Sequence, residues 1–133
     1  WAKGRGGFAL PAGMRVRVAP GKFRDPDVSV LLGASRHTRT EQFLNGADLV
    51  VEIASAGAQD QARDYVHKRR EYAAAGVSEY WIVDPETERV LVLALAPDGG
   101  AYREHGSFAR GTRARSALDE ALAIDVSALF DEA

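Results

Sequence analysis

The chain has 133 residues, of which 46% are hydrophobic and 27% are charged, and it contains no cysteine. This length and composition predict one soluble globular domain, and no apolar run approaches the ~18 residues that a membrane span requires. The absence of cysteine excludes disulfides, thiolate nucleophiles and cysteine-based zinc sites, and it suits a cytoplasmic location. The formal net charge of −2 argues against a protein that coats nucleic acid by bulk charge.

Charge is instead segregated along the chain. Basic residues cluster at positions 36–39 and 67–70, whereas acidic residues concentrate in positions 119–132. Any contact with a phosphate backbone is therefore expected from a local patch. The second patch supplies three candidate phosphate contacts, which are His67, Arg69 and Arg70.

The first elements in chain order are short. Residues 1–13 contain four glycines and one proline and are expected to form an irregular arm ahead of a single domain over residues 14–133. The chain opens at Trp1 without an initiator methionine or a signal-peptide pattern, so we expect upstream residues of the native protein to be missing. Residues 14–18 alternate apolar and basic side chains, which predicts a half-solvated strand, and residues 28–32 predict a second strand.

The central segment contains the one long helix. Residues 34–47 are polar, which favours a loop or short helix rather than a core element. Residues 49–53 are strongly apolar and predict a strand buried on both faces. Residues 59–75 place apolar side chains mostly at helical spacing and are followed by Gly76 as a stop signal.

The second half of the chain predicts mainly strands. Residues 79–83 and 89–96 are rich in β-branched and aliphatic residues, and the turn at residues 84–87 joins them as a hairpin. A short strand near Tyr102 and a terminal strand with a short helix complete the prediction. The order strand, strand, strand, helix, strand, strand indicates the α/β class, with a mixed, curved sheet and a helical crossover between two buried strands.

Glu52 is a carboxylate inside the most apolar predicted strand. An ionised carboxylate in such a place is destabilising unless a cation or several hydrogen-bond donors meet it. Two interpretations carry comparable weight at this point. In the first, Glu52 forms a buried ion pair or lies at a strand end near solvent. In the second, it is a metal ligand.

Four more residues extend this candidate site. Asp27 follows Pro26 just before the start of a predicted strand, where aspartate often serves only as a turn or cap residue. Paired with Glu52, however, it can supply the hard oxygen ligands that Mg²⁺ prefers. Asp64, Lys68 and Tyr72 are spaced by four and share one helix face, which is either a solvated stripe or a surface directed at the sheet.

Other familiar sites are disfavoured. His37 and His105 are isolated from acids at ligand spacing, which argues against zinc. Ser55 lacks the context of a nucleophile elbow, so serine hydrolysis is not expected. No phosphate-binding loop or dinucleotide-binding glycine motif occurs between a strand and a helix, which excludes the common nucleotide-cofactor enzymes.

Three segments carry a family resemblance. They are Arg-Asp-Pro-Asp-Val at residues 24–28, Asp-Leu-Val-Val-Glu-Ile at residues 48–53, and Asp-x-x-x-Lys-x-x-x-Tyr-Ala-x-x-Gly-Val-x-Glu-Tyr-Trp-Ile-Val-Asp-Pro at residues 64–85. Together they resemble the Uma-type putative restriction endonucleases, a bacterial branch of the PD-(D/E)XK nuclease superfamily. The resemblance extends over about residues 14–131.

The resemblance implies a role for each candidate. Asp27 and Glu52 would be the metal ligands, and Lys68 would be the catalytic lysine supplied by the helix, because Ala54 occupies the usual lysine position. Asp64 and Tyr72 are candidate supporting residues. The implied fold is a restriction-endonuclease-like core, with a central mixed sheet of four or five strands and flanking helices, and the members look like homodimers.

The expected activity is hydrolysis of DNA phosphodiester bonds by a water activated by Mg²⁺, with Mn²⁺ as a possible substitute. Two alternatives stay open, namely a non-catalytic binding or assembly domain that keeps the nuclease fold, and a hydrolase of another phosphoester such as a nucleotide. Two departures from the family, together with the net charge, favour the non-catalytic alternative. Residues 55–58 read Ser-Ala-Gly-Ala where members usually read Ser-Pro-Ser, and no N-terminal helical segment is recognisable before Met14.

Overall fold

The computed structural model describes the backbone of residues 8–11, 15–31, 43–54, 58–118 and 122–131, and their side chains except in 8–11 and 58–64. The described elements are β1 (Phe8–Pro11), β2 (Arg15–Ala19), β3 (Lys22–Arg24), β4 (Val28–Leu31), β5 (Phe43–Leu44), β6 (Leu49–Ile53), α1 (Ala58–Ala74), β7 (Glu79–Asp84), β8 (Arg89–Leu95), β9 (Tyr102–Ala109), β10 (Arg113–Arg115), β11 (Ala123–Asp125) and α2 (Val126–Asp131).

Six strands form the principal sheet, in the order β1-β4-β6-β7-β8-β9. β6 and β7 are parallel, and the other neighbouring pairs are antiparallel. α1 is the crossover that connects the parallel pair, because strands running in the same direction cannot be joined by a tight turn. The predicted α/β class, mixed sheet, crossover and β7–β8 hairpin are confirmed, although the sheet has six strands rather than the four or five implied by the resemblance.

The end of α1 follows from its sequence. Gly76 adopts a positive φ of 79°, a conformation that glycine reaches without steric penalty. Its N–H donates to the carbonyl of Ala73 at 3.1 Å, and the N–H of Val77 donates to the carbonyl of Tyr72 at 3.0 Å. These two bonds form a Schellman cap. The predicted helix and its glycine stop are confirmed.

Successive side chains of the principal sheet alternate between two separate cores. α1, β2 and β5 pack on one face, here called the α1 face. Its buried residues include Val16, Val18, Leu31, Leu44, Val50, Tyr72, Tyr80, Ile82 and Leu93. The opposite face is partly covered by α2 and β10, and its buried residues are Val30, Leu49, Trp81, Val83, Val90, Val92, Ala114 and Val126.

Two sequence predictions were wrong, and the short strands β3 and β10 were not predicted. Residues 8–11 of the supposed irregular arm pair with β4 as an antiparallel strand. Lys22–Arg24 forms an unpredicted strand after the turn at Gly21, and it pairs with β2. Residues 43–47, expected outside the core, contribute β5 and the fully buried Leu44 and Ala47. Strands of two to four residues are too short to show a period, and β1 and β5 pair with strands that are distant in the chain.

The C-terminal region agrees with the predicted terminal strand and short helix, which are β11 and α2. Arg110 contacts both Glu88 in the β7–β8 turn and Asp131 at the end of α2. These contacts hold α2 against the hairpin. No helix among the described residues is long and apolar enough to cross a membrane.

Candidate active site

Glu52 lies near the end of β6, and its side chain is directed to the α1 face. The residue is only 5% exposed. Its Oε1 lies 3.0 Å from Nζ of Lys68, and its Oε2 accepts a hydrogen bond of 2.8 Å from the Tyr80 hydroxyl. The ion pair considered from the sequence is therefore present, and it offsets the unfavourable burial of the carboxylate.

Lys68 reaches Glu52 from the third turn of α1. Its side chain is 21% exposed, so the ion pair lies at the rim of the core and not deep inside it. Tyr72, one turn further along, is fully buried against the sheet. The helix face that carries Lys68 and Tyr72 is thus directed at the sheet, and the interpretation as a solvated stripe is wrong for these two residues.

Asp27 is half-buried immediately before β4. The antiparallel register pairs Val28 with Val51, which brings Asp27 beside the last residues of β6. Its Oδ2 accepts a hydrogen bond of 2.7 Å from the N–H of Ile53, the residue that follows Glu52. The structure therefore brings Asp27 and Glu52 to the same end of the β4–β6 pair, where Glu52 contacts Lys68 from α1 and Asp27 is anchored to the backbone of Ile53.

Tyr80 is a member of this site that the sequence analysis did not identify. Burial, followed by the nearby charge of Glu52, raises the pKa of Tyr80 above its ordinary value, so the hydroxyl stays protonated and donates. The signal available in the sequence was alternation along β7, which places Tyr80 and Ile82 on one face. Whether this face of β7 is also the face of Glu52 depends on the register between β6 and β7, and neither strand's own sequence specifies that register.

Two buried hydroxyls on the α1 face have no hydrogen-bond partner among the described residues. One is Tyr72, whose ring packs edge-on against that of Tyr80 with centroids 5.1 Å apart. The other is Ser29, which lies opposite Val50 in the strand register. Burial and the charge of Glu52 raise the pKa of Tyr72. Unpaired buried hydroxyls are sites where ordered water or a ligand is expected.

The remaining predicted residues divide into two groups. His67, Arg69 and Arg70 are exposed on α1, and Arg69 donates to the carbonyl of Tyr102 at 3.3 Å. The basic positions 36–39, Ser55 and the side chain of Asp64 lie outside the described residues. Within the described residues, no group of three or more His, Cys, Asp or Glu side chains is arranged to hold a metal. A metal at this site would therefore have two carboxylate ligands from that part of the chain.

A second buried carboxylate, Glu79, lies on the opposite face of the sheet and is 0% exposed. Its Oε1 accepts from the Trp81 indole at 2.7 Å. Its Oε2 accepts from the Ser116 hydroxyl at 2.8 Å and from the N–H of Leu118 at 2.7 Å. All three donors are neutral, and the two from Ser116 and Leu118 fasten residues 116–118 to the sheet.

Comparison with known proteins agrees with this architecture. The Uma2 family, described as putative restriction endonuclease, matches residues 1–127. The fold is similar to that of a putative nuclease of DUF820 from Anabaena variabilis, with a TM-score of 0.68 and 20% identity, over 96% of this chain and 70% of that one. No curated protein matches significantly. The chain belongs to the Uma2 family of putative restriction endonucleases, as the resemblance in its sequence predicted.

Proposed function

We propose that this chain is a metal-dependent endonuclease that hydrolyses DNA phosphodiester bonds at the site formed by Asp27, Glu52 and Lys68. The observation that carries the proposal is the 3.0 Å contact between Lys68 and a buried Glu52, at the strand end where Asp27 is anchored. A nuclease fold and membership of this family support the same activity.

The donor set fits Mg²⁺, with Mn²⁺ as a substitute. Mg²⁺ takes oxygen ligands, keeps several of its waters, and is commonly held in proteins by one or two carboxylates. Oδ1 of Asp27 has no partner among the described residues, and a carboxylate oxygen such as Glu52 Oε2 retains a second lone pair after accepting one hydrogen bond. Asp27 and Glu52 would hold the ion, which when bound supplies Lewis-acid activation of water and neutralises phosphoryl charge.

The protein's own residues would perform the remaining tasks. Lys68 places a positive charge beside the Glu52 carboxylate, where it would stabilise the negative charge that develops on the phosphoryl oxygens. Tyr80 fixes the orientation of the Glu52 carboxylate through its 2.8 Å hydrogen bond. The buried hydroxyls of Tyr72 and Ser29 offer hydrogen-bonding positions for ordered water beneath the site.

A plasmid-cleavage assay tests the proposal. The wild-type protein should nick or linearise plasmid DNA in Mg²⁺ and lose this activity in EDTA. Glu52→Ala should abolish cleavage, whereas Glu86→Ala, which removes an exposed carboxylate in the β7–β8 turn, should retain it. A Glu52→Ala protein as active as wild type, with a native circular-dichroism spectrum, would rule out the assignment.

A thermal-shift titration separates this enzyme from a non-catalytic domain with the same fold. Mg²⁺ or Mn²⁺ should raise the melting temperature of the wild type, because a ligand that binds only the native state stabilises it. The increase should disappear in Asp27→Ala. A panel of plasmid, single-stranded DNA, RNA and small phosphoesters then distinguishes DNA hydrolysis from hydrolysis of another phosphoester such as a nucleotide.

The homodimer and the cytoplasmic location implied by the sequence analysis stay predictions. Size-exclusion chromatography with light scattering measures the first. A fluorescent fusion in a native host measures the second.

A further inference from the structure

A groove of about 390 Å³ lies on the α1 face, between α1 and the strands β7 to β9, and its lining is mainly apolar with a few charged and hydroxyl side chains. Ile82 and Leu91 form its apolar floor. Two guanidinium groups, those of Arg69 and Arg89, line it from α1 and from the start of β8. We call it the Arg69–Arg89 groove. Neither the family resemblance nor the Glu52 site assigns it a role.

The groove begins one strand away from the candidate active site. In the register of the sheet Glu52 lies opposite Ile82, Ile82 opposite Leu91, and Leu91 opposite Ser107. Neighbouring strands are about 4.8 Å apart, so the floor of the groove continues directly from the Glu52 position. On the helix side, Arg69 immediately follows Lys68 in α1.

The lining side chains match the chemistry of a phosphodiester. Arg89 is exposed, and its guanidinium makes no ion pair or hydrogen bond with any other described residue. Arg69 is positioned by its bond to the Tyr102 carbonyl. Guanidinium groups bind phosphate oxygens through paired N–H donors, and the hydroxyls of Thr87 and Ser107, which also line the groove, are common phosphate contacts.

Two carboxylates also line the groove, those of Asp84 and Glu104. One oxygen of Asp84 accepts the N–H of Glu86 at 3.0 Å and thereby caps the turn. The groove therefore lacks a large net positive charge. Its affinity for a phosphate backbone would come from two guanidinium contacts. Because the salt dependence of DNA binding grows with the number of phosphates contacted, we expect a modest dependence of affinity on salt.

We propose that the Arg69–Arg89 groove binds the phosphodiester backbone of DNA next to the bond presented to Glu52 and Lys68. The proposal rests on the proposed endonuclease function for its choice of ligand. The apolar floor would contact deoxyribose, while the two arginines would hold consecutive phosphates. Arg69 was a candidate phosphate contact from the sequence, whereas Arg89, Thr87 and Ser107 come from the structure.

Binding of a short fluorescein-labelled DNA duplex, measured by fluorescence anisotropy in EDTA, tests the groove without cleavage. Arg89→Ala should weaken binding about tenfold, as expected for a lost hydrogen-bonded charge contact. It should also reduce the slope of log K against log salt by about 0.9, the value for one phosphate. The matched control is Arg103→Ala in β9, an exposed arginine at the opposite end of the β8–β9 pair, which should bind like wild type.

Glu104→Gln should change the affinity for DNA in the opposite direction from Arg89→Ala. If the ligand is a phosphate backbone, removing this carboxylate removes repulsion and should strengthen DNA binding. Weaker binding in Glu104→Gln, equal binding by the Arg89→Ala and Arg103→Ala proteins, or no binding of the duplex by the wild type would overturn the proposal.

Failure of the groove and failure of the proposed function are separable. Normal duplex binding by Arg89→Ala, with cleavage still abolished in Glu52→Ala, would reject DNA binding by the groove and leave the proposed endonuclease function standing. Weakened binding by Arg89→Ala, with wild-type cleavage in Glu52→Ala, would support the groove and reject the assigned active site.

Discussion

Two buried glutamates lie on neighbouring strands of one sheet and face opposite sides of it. Glu52 faces α1, and its partners are a tyrosine hydroxyl and the partly exposed ammonium of Lys68. Glu79 is fully enclosed and accepts hydrogen bonds from an indole, a hydroxyl and a backbone N–H, with no charged partner among the described residues. The two carboxylates are similarly buried but differently surrounded.

The comparison shows that burial alone does not identify a functional carboxylate. The donors to Glu79 come from its own strand and from residues 116–118, so this carboxylate fastens a loop to the sheet. Glu52 lies at the end of β6, near Asp27, and contacts the partly exposed ammonium group of Lys68. Glu79 therefore has a structural role, whereas the surroundings of Glu52 suit the catalytic role that the proposed function gives it.

The largest expected effect is on the activity of Glu52→Gln. This isosteric change removes the charge but keeps a hydrogen-bond acceptor for Tyr80, so the fold should be retained. Loss of the charged group should lower kcat for plasmid cleavage by at least about a hundredfold, as for the removal of other groups that stabilise a transition state. Retention of wild-type kcat in a folded Glu52→Gln protein would contradict the catalytic role of Glu52.

Glu79→Ala should produce the reciprocal result. It leaves the Trp81 indole and the Ser116 hydroxyl without their buried acceptor, whereas the Leu118 N–H keeps a hydrogen bond of 3.0 Å to the Ser116 hydroxyl. An orphaned buried donor is destabilising by about 1–3 kcal/mol, so the free energy of unfolding should fall by about 2 kcal/mol or more. Urea denaturation measures this loss. A change as small as that of an exposed-site control such as Glu86→Ala would show that Glu79 has no anchoring role.

The two buried tyrosines sharpen the assignment of Glu52. Tyr80→Phe removes a buried hydrogen bond to a carboxylate and should lower stability by about 1.5–3 kcal/mol and reduce kcat. Tyr72→Phe is the matched control, because its hydroxyl has no partner among the described residues and its loss should be nearly neutral for stability. Equal losses of stability in the two variants, or a Tyr80→Phe protein with wild-type kcat, would argue against a positioning role for Tyr80.

The smallest effect is expected at the ion pair between β3 and α1. Arg24 donates to both oxygens of Glu71 at 2.6 and 2.9 Å, and this hydrogen bonding lowers the pKa of Glu71 below its ordinary 4.5. The stabilisation is present above that ordinary value and is lost as the pH falls through the lower pKa of the folded protein. Because both side chains are partly exposed, Glu71→Gln should lower stability at neutral pH by about 1 kcal/mol or less.

The pH dependence provides the check for this pair. Urea denaturation from neutral to acidic pH should show the difference between wild type and Glu71→Gln shrinking below about pH 4.5, where the unfolded carboxyl becomes protonated. A difference that grows as the pH falls would contradict the assignment.

The sequence predicted the parts of the site that have a local signal. A charge inside the apolar run 49–53 identified Glu52, and helical spacing placed Lys68 and Tyr72 on one face. The role of Lys68 came from the family resemblance, because spacing alone did not show that this face contacts the sheet. Tyr80 was missed because its contact depends on the parallel register of β6 and β7, which only the folded crossover determines.

The fold shows the same limit. The long helix and the longer strands were predicted from their periodicity and capping residues. β1 and β5 were missed because two to four residues carry no period, and their pairing with β4 and β2 joins distant parts of the chain. The Arg69–Arg89 groove likewise combines residues from α1, the β7–β8 turn and β9, so no single segment indicated it.

Anomalous diffraction from a crystal soaked in Mn²⁺ is the most direct test of the central claim. We predict one ion at the end of the β4–β6 pair, with an oxygen of Asp27 and an oxygen of Glu52 each within about 2.3 Å of it. An ion bound elsewhere, or no ion at this position while Glu52 keeps only Lys68 and Tyr80 as partners, would contradict the claim.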